Sequence, residues 1–129
     1  MIKIAISIWL LSTALFALEW AKNMDTALGS AQKEHKNVMV MVEGEHCRWC
    51  KKMKGRTLSD ENVEKRLEKY VLVKVMRDDG HAMAKLPPVE GVPTIFFMKS
   101  NKSVIQEVLG YEDVDDFNAT LNDVEKHRD

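Results

Sequence analysis

The chain has 129 residues, 45% of them hydrophobic and 30% charged, with 19 basic against 20 acidic side chains and a formal net charge of −1. A chain of this length suits one domain with one modest core. Its near-neutral mixture of dispersed Lys and Glu argues against a nucleic-acid binder or a polybasic membrane-surface protein. Cys47 and Cys50 are its only cysteines, too few for a disulfide-stapled scaffold.

Lys3 is the only charge before Glu19, and the intervening stretch is almost wholly apolar, closing on Ala14-Leu15-Phe16-Ala17. One positive charge, a short apolar run and a small-residue exit predict a secretory signal over residues 1–17, cleaved after Ala17, with the working domain over 18–129. The run is short for a membrane span, which needs about 20 residues; only if it stays uncleaved does the chain touch a membrane. Losing it removes Lys3 and no acid, taking the net charge from −1 to −2. Export predicts a periplasmic or secreted protein. In such an oxidising space a lone cysteine pair points to chemistry more than to scaffolding.

Helical spacing of Ala27, Leu28 and Ala31 predicts a first helix over residues 25–36, with Asp25 as a possible cap. The continuous apolar run Val38-Met39-Val40-Met41-Val42 reads as a buried strand. A helix opening at Cys47 and reaching about Lys54 follows. Ser59-Asp60-Glu61-Asn62 caps a helix over 63–70, residues 71–76 form a strand, and 81–85 a short helix. Leu86-Pro87-Pro88 breaks the chain. Residues 94–98 and 104–109 form an antiparallel hairpin, and 114–128 a closing helix with Phe117, Leu121 and Val124 inward.

The chemistry concentrates in Cys47-Arg48-Trp49-Cys50. A helix places positions i and i+3 on one face, so these sulfurs can close a tight disulfide. Cys47, at the helix N-terminus, meets unpaired N–H groups that favour a thiolate, with Arg48 and protonated His46 adding positive charge. Thiolate is the nucleophile. The spacing therefore makes Cys47 the attacking thiol and Cys50, one turn in, the resolving one. A structural zinc would need a second ligand pair, which the chain lacks. A purely structural disulfide across so short a loop would add little stability. The eight methionines read as core filler rather than copper ligands. Trp49, between the cysteines, is a candidate apolar contact for a substrate chain.

Downstream, Gly91-Val92-Pro93-Thr94 heads the apolar run Ile95-Phe96-Phe97-Met98. Proline is tolerated at the start of a strand, and a Val-Pro bond can be cis. Together with the CxxC, this segment makes the chain resemble the thioredoxin superfamily from about Val38 onward. The string from Cys47 to Met53 is most similar to secreted thioredoxin-related proteins, the SoxW-like and thioredoxin-7-type group.

The resemblance implies an α/β thioredoxin fold, a central mixed β-sheet flanked by α-helices, with cis-Pro93 beside the cysteines. It implies thiol–disulfide exchange, with no cofactor beyond the Cys47–Cys50 redox disulfide. The expected substrates are protein disulfides lying against Trp49, Val92, Pro93 and Thr94, and the expected electron donor is a membrane thiol reductant. Lys74 matches the lysine that tunes the site in thioredoxins. Two positions depart from the pattern. His46 stands where thioredoxin itself carries Trp, and Met41 replaces the buried acid six residues before the first cysteine. Glu43 or Glu45 is left as the candidate proton acceptor for Cys50, and redox tuning falls to His46, Arg48, Lys74 and Glu43. The resemblance favours a reductase, with an oxidase or isomerase of secreted proteins and a non-catalytic binding module as alternatives.

Overall fold

Asn37–Glu43 forms strand β2, the centre of the molecule. Its alternation of Val and Met puts Val38, Val40 and Val42 on one face of the sheet and Met39 and Met41 on the other, all fully buried. The computed structural model describes residues 18–127. The segment read as a signal, 1–17, lies outside the described residues, and the closing helix expected to reach Arg128 ends at Glu125, before a turn at Lys126 and His127.

Around β2 the chain runs β1 (Trp20–Ala21), α1 (Met24–Glu34), β2, α2 (Arg48–Lys52) with a π-helical continuation (Met53–Thr57), α3 (Glu61–Leu67), β3 (Tyr70–Met76), α4 (Gly80–Met83), β4 (Thr94–Met98), β5 (Val104–Leu109) and α5 (Val114–Glu125). The five strands lie in the order β1-β3-β2-β4-β5. β2 runs parallel to β3 and antiparallel to β4, β1 is parallel to β3, and β4 and β5 form the expected antiparallel hairpin. This is the mixed sheet of an α/β thioredoxin fold.

The two faces carry different layers. On the valine side, Met24, Ala27 and Ala31 of α1 and Ala82 of α4 pack against Val40, Val73 and Phe96. On the methionine side, Cys50 and Met53, Val63 and Leu67 of α3, and Phe117, Leu121 and Val124 of α5 pack against Met39, Met41 and Phe97. The inward residues expected of α5 are thus in the core, and Met24, Met39, Met41, Met53 and Met98 are all buried.

Several boundaries differ from expectation, each for a local reason. α1 is capped by Asn23, whose Oδ1 accepts the Thr26 N–H at 2.8 Å. Asp25 is therefore one residue inside the helix, where Lys85 and His81 of the α4 segment bond its carboxylate and hold it below the usual carboxylate range. The helix stops at Glu34 because His35 turns left-handed, φ 55°. α3 starts two residues early, capped by Asp60 to the Val63 N–H at 3.0 Å. Tyr70 opens β3 instead of closing α3, since it pairs with Asn37 and its ring meets Phe97 edge-on at 5.6 Å. β1 is two residues long, too short for any periodicity to show it.

Candidate active site

Beyond Glu43, residues Gly44, Glu45 and His46 turn the chain from β2 into α2. A Cβ on Gly44 would come within 3.1 Å of Val92 Cγ2, so the glycine lets the Pro93 loop close against this turn. His46 is exposed and adopts φ 53°, a conformation that costs an L-residue about 1–2 kcal/mol. The turn delivers Cys47 as the N-cap of α2, its Sγ accepting the Cys50 N–H at 3.1 Å. Cys47 and Cys50 are joined as a disulfide. Cys47 is half-buried, while Cys50 is 2% exposed within the core beside Met53. The outer sulfur is open to a partner and the inner one is not.

The helix carrying the cysteines is longer than expected. After Lys52 it widens into a π-turn closed by the Leu58 N–H on Met53 O at 2.9 Å, and buried Thr57 donates its hydroxyl to Glu112 O at 2.6 Å. Trp49 lies 46% exposed beside the disulfide, its ring 5.6 Å from that of Tyr111. Lys52 Nζ sits over both rings, 4.6 Å from Trp49 and 5.0 Å from Tyr111, and the Arg48 guanidinium is 5.9 Å from Trp49. Tyr111 and Lys52 were not among the expected site residues. The available signal was that Gly110-Tyr111 ends a strand antiparallel to the one headed by Pro93, which returns it to the same end of the sheet.

The Val92–Pro93 bond is cis. Pro93 O accepts the Gly110 N–H at 2.8 Å, and Gly110 meets it from a positive φ of 89°. Pro93 and Thr94 are buried, and the Thr94 hydroxyl donates to Gly91 O at 2.6 Å. Thr94 therefore braces the loop and is not part of the expected substrate surface, and Pro93 contributes no exposed ring. Val92 is the partly open residue of that group.

The two tuning candidates on the sheet part ways. Glu43, 8% exposed, follows Met39 and Met41 on the face of β2 that carries Cys50, and its carboxylate is ion-paired with Lys54, one turn beyond Cys50. Lys74 pairs in register with Met41, but its ammonium sits 4.9 Å above the Trp20 ring at the sheet edge. Met41, fully buried, leaves no carboxylate at the position beneath the cysteines.

Residues 24–125 match the Thioredoxin-like domain family. The chain belongs to that family. With its CxxC disulfide at the head of α2, it is a thiol–disulfide oxidoreductase. It is similar to a thioredoxin from Thermus thermophilus at 28% identity and TM-score 0.70, covering 83% of this chain and 86% of that one. It is similar also to the C-terminal domain of Neisseria meningitidis DsbD at 26% identity and TM-score 0.62, covering 81% and 93%. The periplasmic thioredoxin SoxS from Paracoccus pantotrophus shares the fold at 16% identity and TM-score 0.61, over 72% of this chain and 100% of that one. A search of curated proteins finds no match to the sequence.

Proposed function

We propose that this oxidoreductase reduces protein disulfides outside the cytoplasm. The observation that carries the reading is the unequal pair at the head of α2: Cys47 open at the N-cap, Cys50 buried one turn behind it. Similarity to a thioredoxin and to the DsbD C-terminal domain, both above a quarter identical, supports the reducing direction. The signal-like segment 1–17 and the shared fold with a periplasmic thioredoxin support the location.

In the proposed cycle an extended substrate segment lies along Val92 as an added strand, its apolar part against Trp49. The Cys47 thiolate attacks one sulfur of the substrate disulfide. The substrate S–S bond breaks, a mixed disulfide forms, and the departing thiolate takes up a proton. Cys50, deprotonated, then attacks Cys47 Sγ and releases the second substrate thiol. Two electrons have passed to the substrate and the CxxC is left oxidised. A dithiol donor, with a membrane thiol reductant as the expected class, returns them through the reverse exchange. In this reading Glu43, which shares the face of β2 with Met39 and Met41, takes the Cys50 proton, and Arg48 and His46 add positive charge around Cys47.

The test is the redox equilibrium of the protein in graded glutathione buffers, read by thiol alkylation and by Trp fluorescence. A reversible two-electron transition near the thioredoxin value of about −270 mV is expected. A value near about −120 mV would instead make it an oxidase or isomerase. Cysteines that never pair would leave a binding module.

A further inference from the structure

The segment carrying the thiols is also a concentrated block of positive charge. Arg48, Lys51, Lys52, Lys54 and Arg56 fall within nine residues that hold no acid, in a chain whose net charge is −1. Among the described residues only Lys54 of these is ion-paired, with Glu43 on the buried side. Arg48, Lys51 and Arg56 are exposed, and with Lys52 and Gly55 they line a shallow depression. A Cβ on Gly55 would meet nothing within 4 Å, so the depression is open there to an incoming chain. Trp49 also lines it. Spacings of three and four residues put Arg48, Lys51, Lys52 and Gly55 along one helical stripe.

Resting on the exchange reading above, we propose that this depression docks an acidic stretch of the partner polypeptide, next to the cysteine being exchanged. Charge complementarity names the sign of the partner, and position names its class. The depression begins at the residue after Cys47, so its occupant reaches the sulfur only if one chain carries both the acids and the cysteine. A nucleic acid would meet a short basic stripe on a molecule of net negative charge. The apolar seat of Trp49 would fix register, while the cations select partner and raise the rate of encounter.

The test uses three synthetic peptides, each closed by one disulfide and identical except beside a cysteine, where they carry Asp-Glu, Asn-Gln or Lys-Lys. The reduced full chain is mixed with each, and the second-order rate constant is followed by Trp fluorescence at about 20 mM and about 500 mM salt, where charge effects reach far and are screened respectively. Neutral hydroxyethyl disulfide is run alongside. The acidic peptide is expected to react about tenfold faster than the basic one at low salt, with the ratio collapsing towards one at high salt. The Lys51→Glu/Arg56→Glu double variant is expected to reverse the order of the two peptides. Equal rates at low salt, or a preference that survives both high salt and the double variant, would overturn the proposal. If hydroxyethyl disulfide reacts while the peptides show no order, only the docking inference fails. If it does not react either, the exchange reading fails with it. Pelleting with phosphatidylglycerol vesicles, or self-association abolished by the double variant, would assign the cations to a membrane or a second copy and equally overturn it.

Discussion

The two faces of the central strand do different work from one alternating sequence. On the valine side, β-branched residues meet Ala27, Ala31 and Ala82, small side chains that let α1 and α4 sit close on the sheet. On the methionine side, Met39 and Met41 lie beneath Cys50 and Met53, so flexible thioethers support the helix whose buried sulfur must change partners. The same alternation, carried one step further, places Glu43 on the methionine side, where Lys54 meets it. The difference teaches that both faces hold the fold, while the parity of a position in β2 decides whether its side chain is also clustered with the exchanging helix.

The largest test of that difference is Cys47→Ala, which removes the open sulfur and leaves both packed layers intact. Disulfide reduction should fall by at least about a thousandfold, and the unfolding midpoint of the variant, compared with reduced wild type, should be almost unchanged. A paired comparison follows on the strand itself. Met41→Ala and Val40→Ala each open a cavity in a fully buried position, at a cost of about 2–5 and about 2–3 kcal/mol in chemical denaturation. Only Met41→Ala, beneath the cysteines, should also shift the midpoint of the glutathione titration. Equal shifts from both would erase the distinction between the faces.

Lys54→Met leaves Glu43 buried without its cation. Because Lys54 is itself partly exposed, the expected loss is about 1 kcal/mol, measured by urea unfolding at neutral pH. Glu43→Gln, which keeps the shape and removes the base, should slow resolution of the mixed disulfide by Cys50, and a rate equal to wild type would remove Glu43 from the cycle.

The smallest expected effect lies at Glu112, which is held by Thr57 and Thr120. Burial pushes the Glu112 carboxyl above its ordinary range, the Thr120 hydroxyl opposes that rise, and Asp116 and Asp113 add to it. A carboxyl whose folded pKa is raised binds its proton more tightly in the fold than in the unfolded chain. Its ionisation therefore costs stability as pH rises through the unfolded pKa to the folded one. Glu112→Gln should stabilise the protein at neutral pH by no more than about 1 kcal/mol, and the gain should vanish in acid, below both pKa values. A gain that persists there would assign the effect to packing and not to charge.

Much of this was legible in the chain. The hairpin 94–98 and 104–109 was placed to the residue, because alternation and a polar turn are local signals. The cysteine pair was legible for the same reason, since N-cap and i+3 spacing are set within one turn. What was not legible depended on contacts distant in sequence. Tyr70 leaves the helix pattern because pairing with Asn37 outweighs local propensity. The clasp of Lys52 by Trp49 and Tyr111 joins residues far apart in the chain. Thr94 reads as a site residue by its neighbour Pro93, yet strand alternation puts it on the same buried face of β4 as Phe96 and Met98, where its hydroxyl donates to Gly91 O.

By itself the sequence determined the order of elements, the parity of β2 and the identity of the reacting sulfurs, because periodicity and cap chemistry act over a few residues. Only the tertiary structure decided how completely Cys50 is covered, which loop closes over the turn at Gly44 and which cations, among the described residues, remain outside any ion pair. Those are properties of the space between elements, and burial, close approach and ion pairing exist only once the layers have packed.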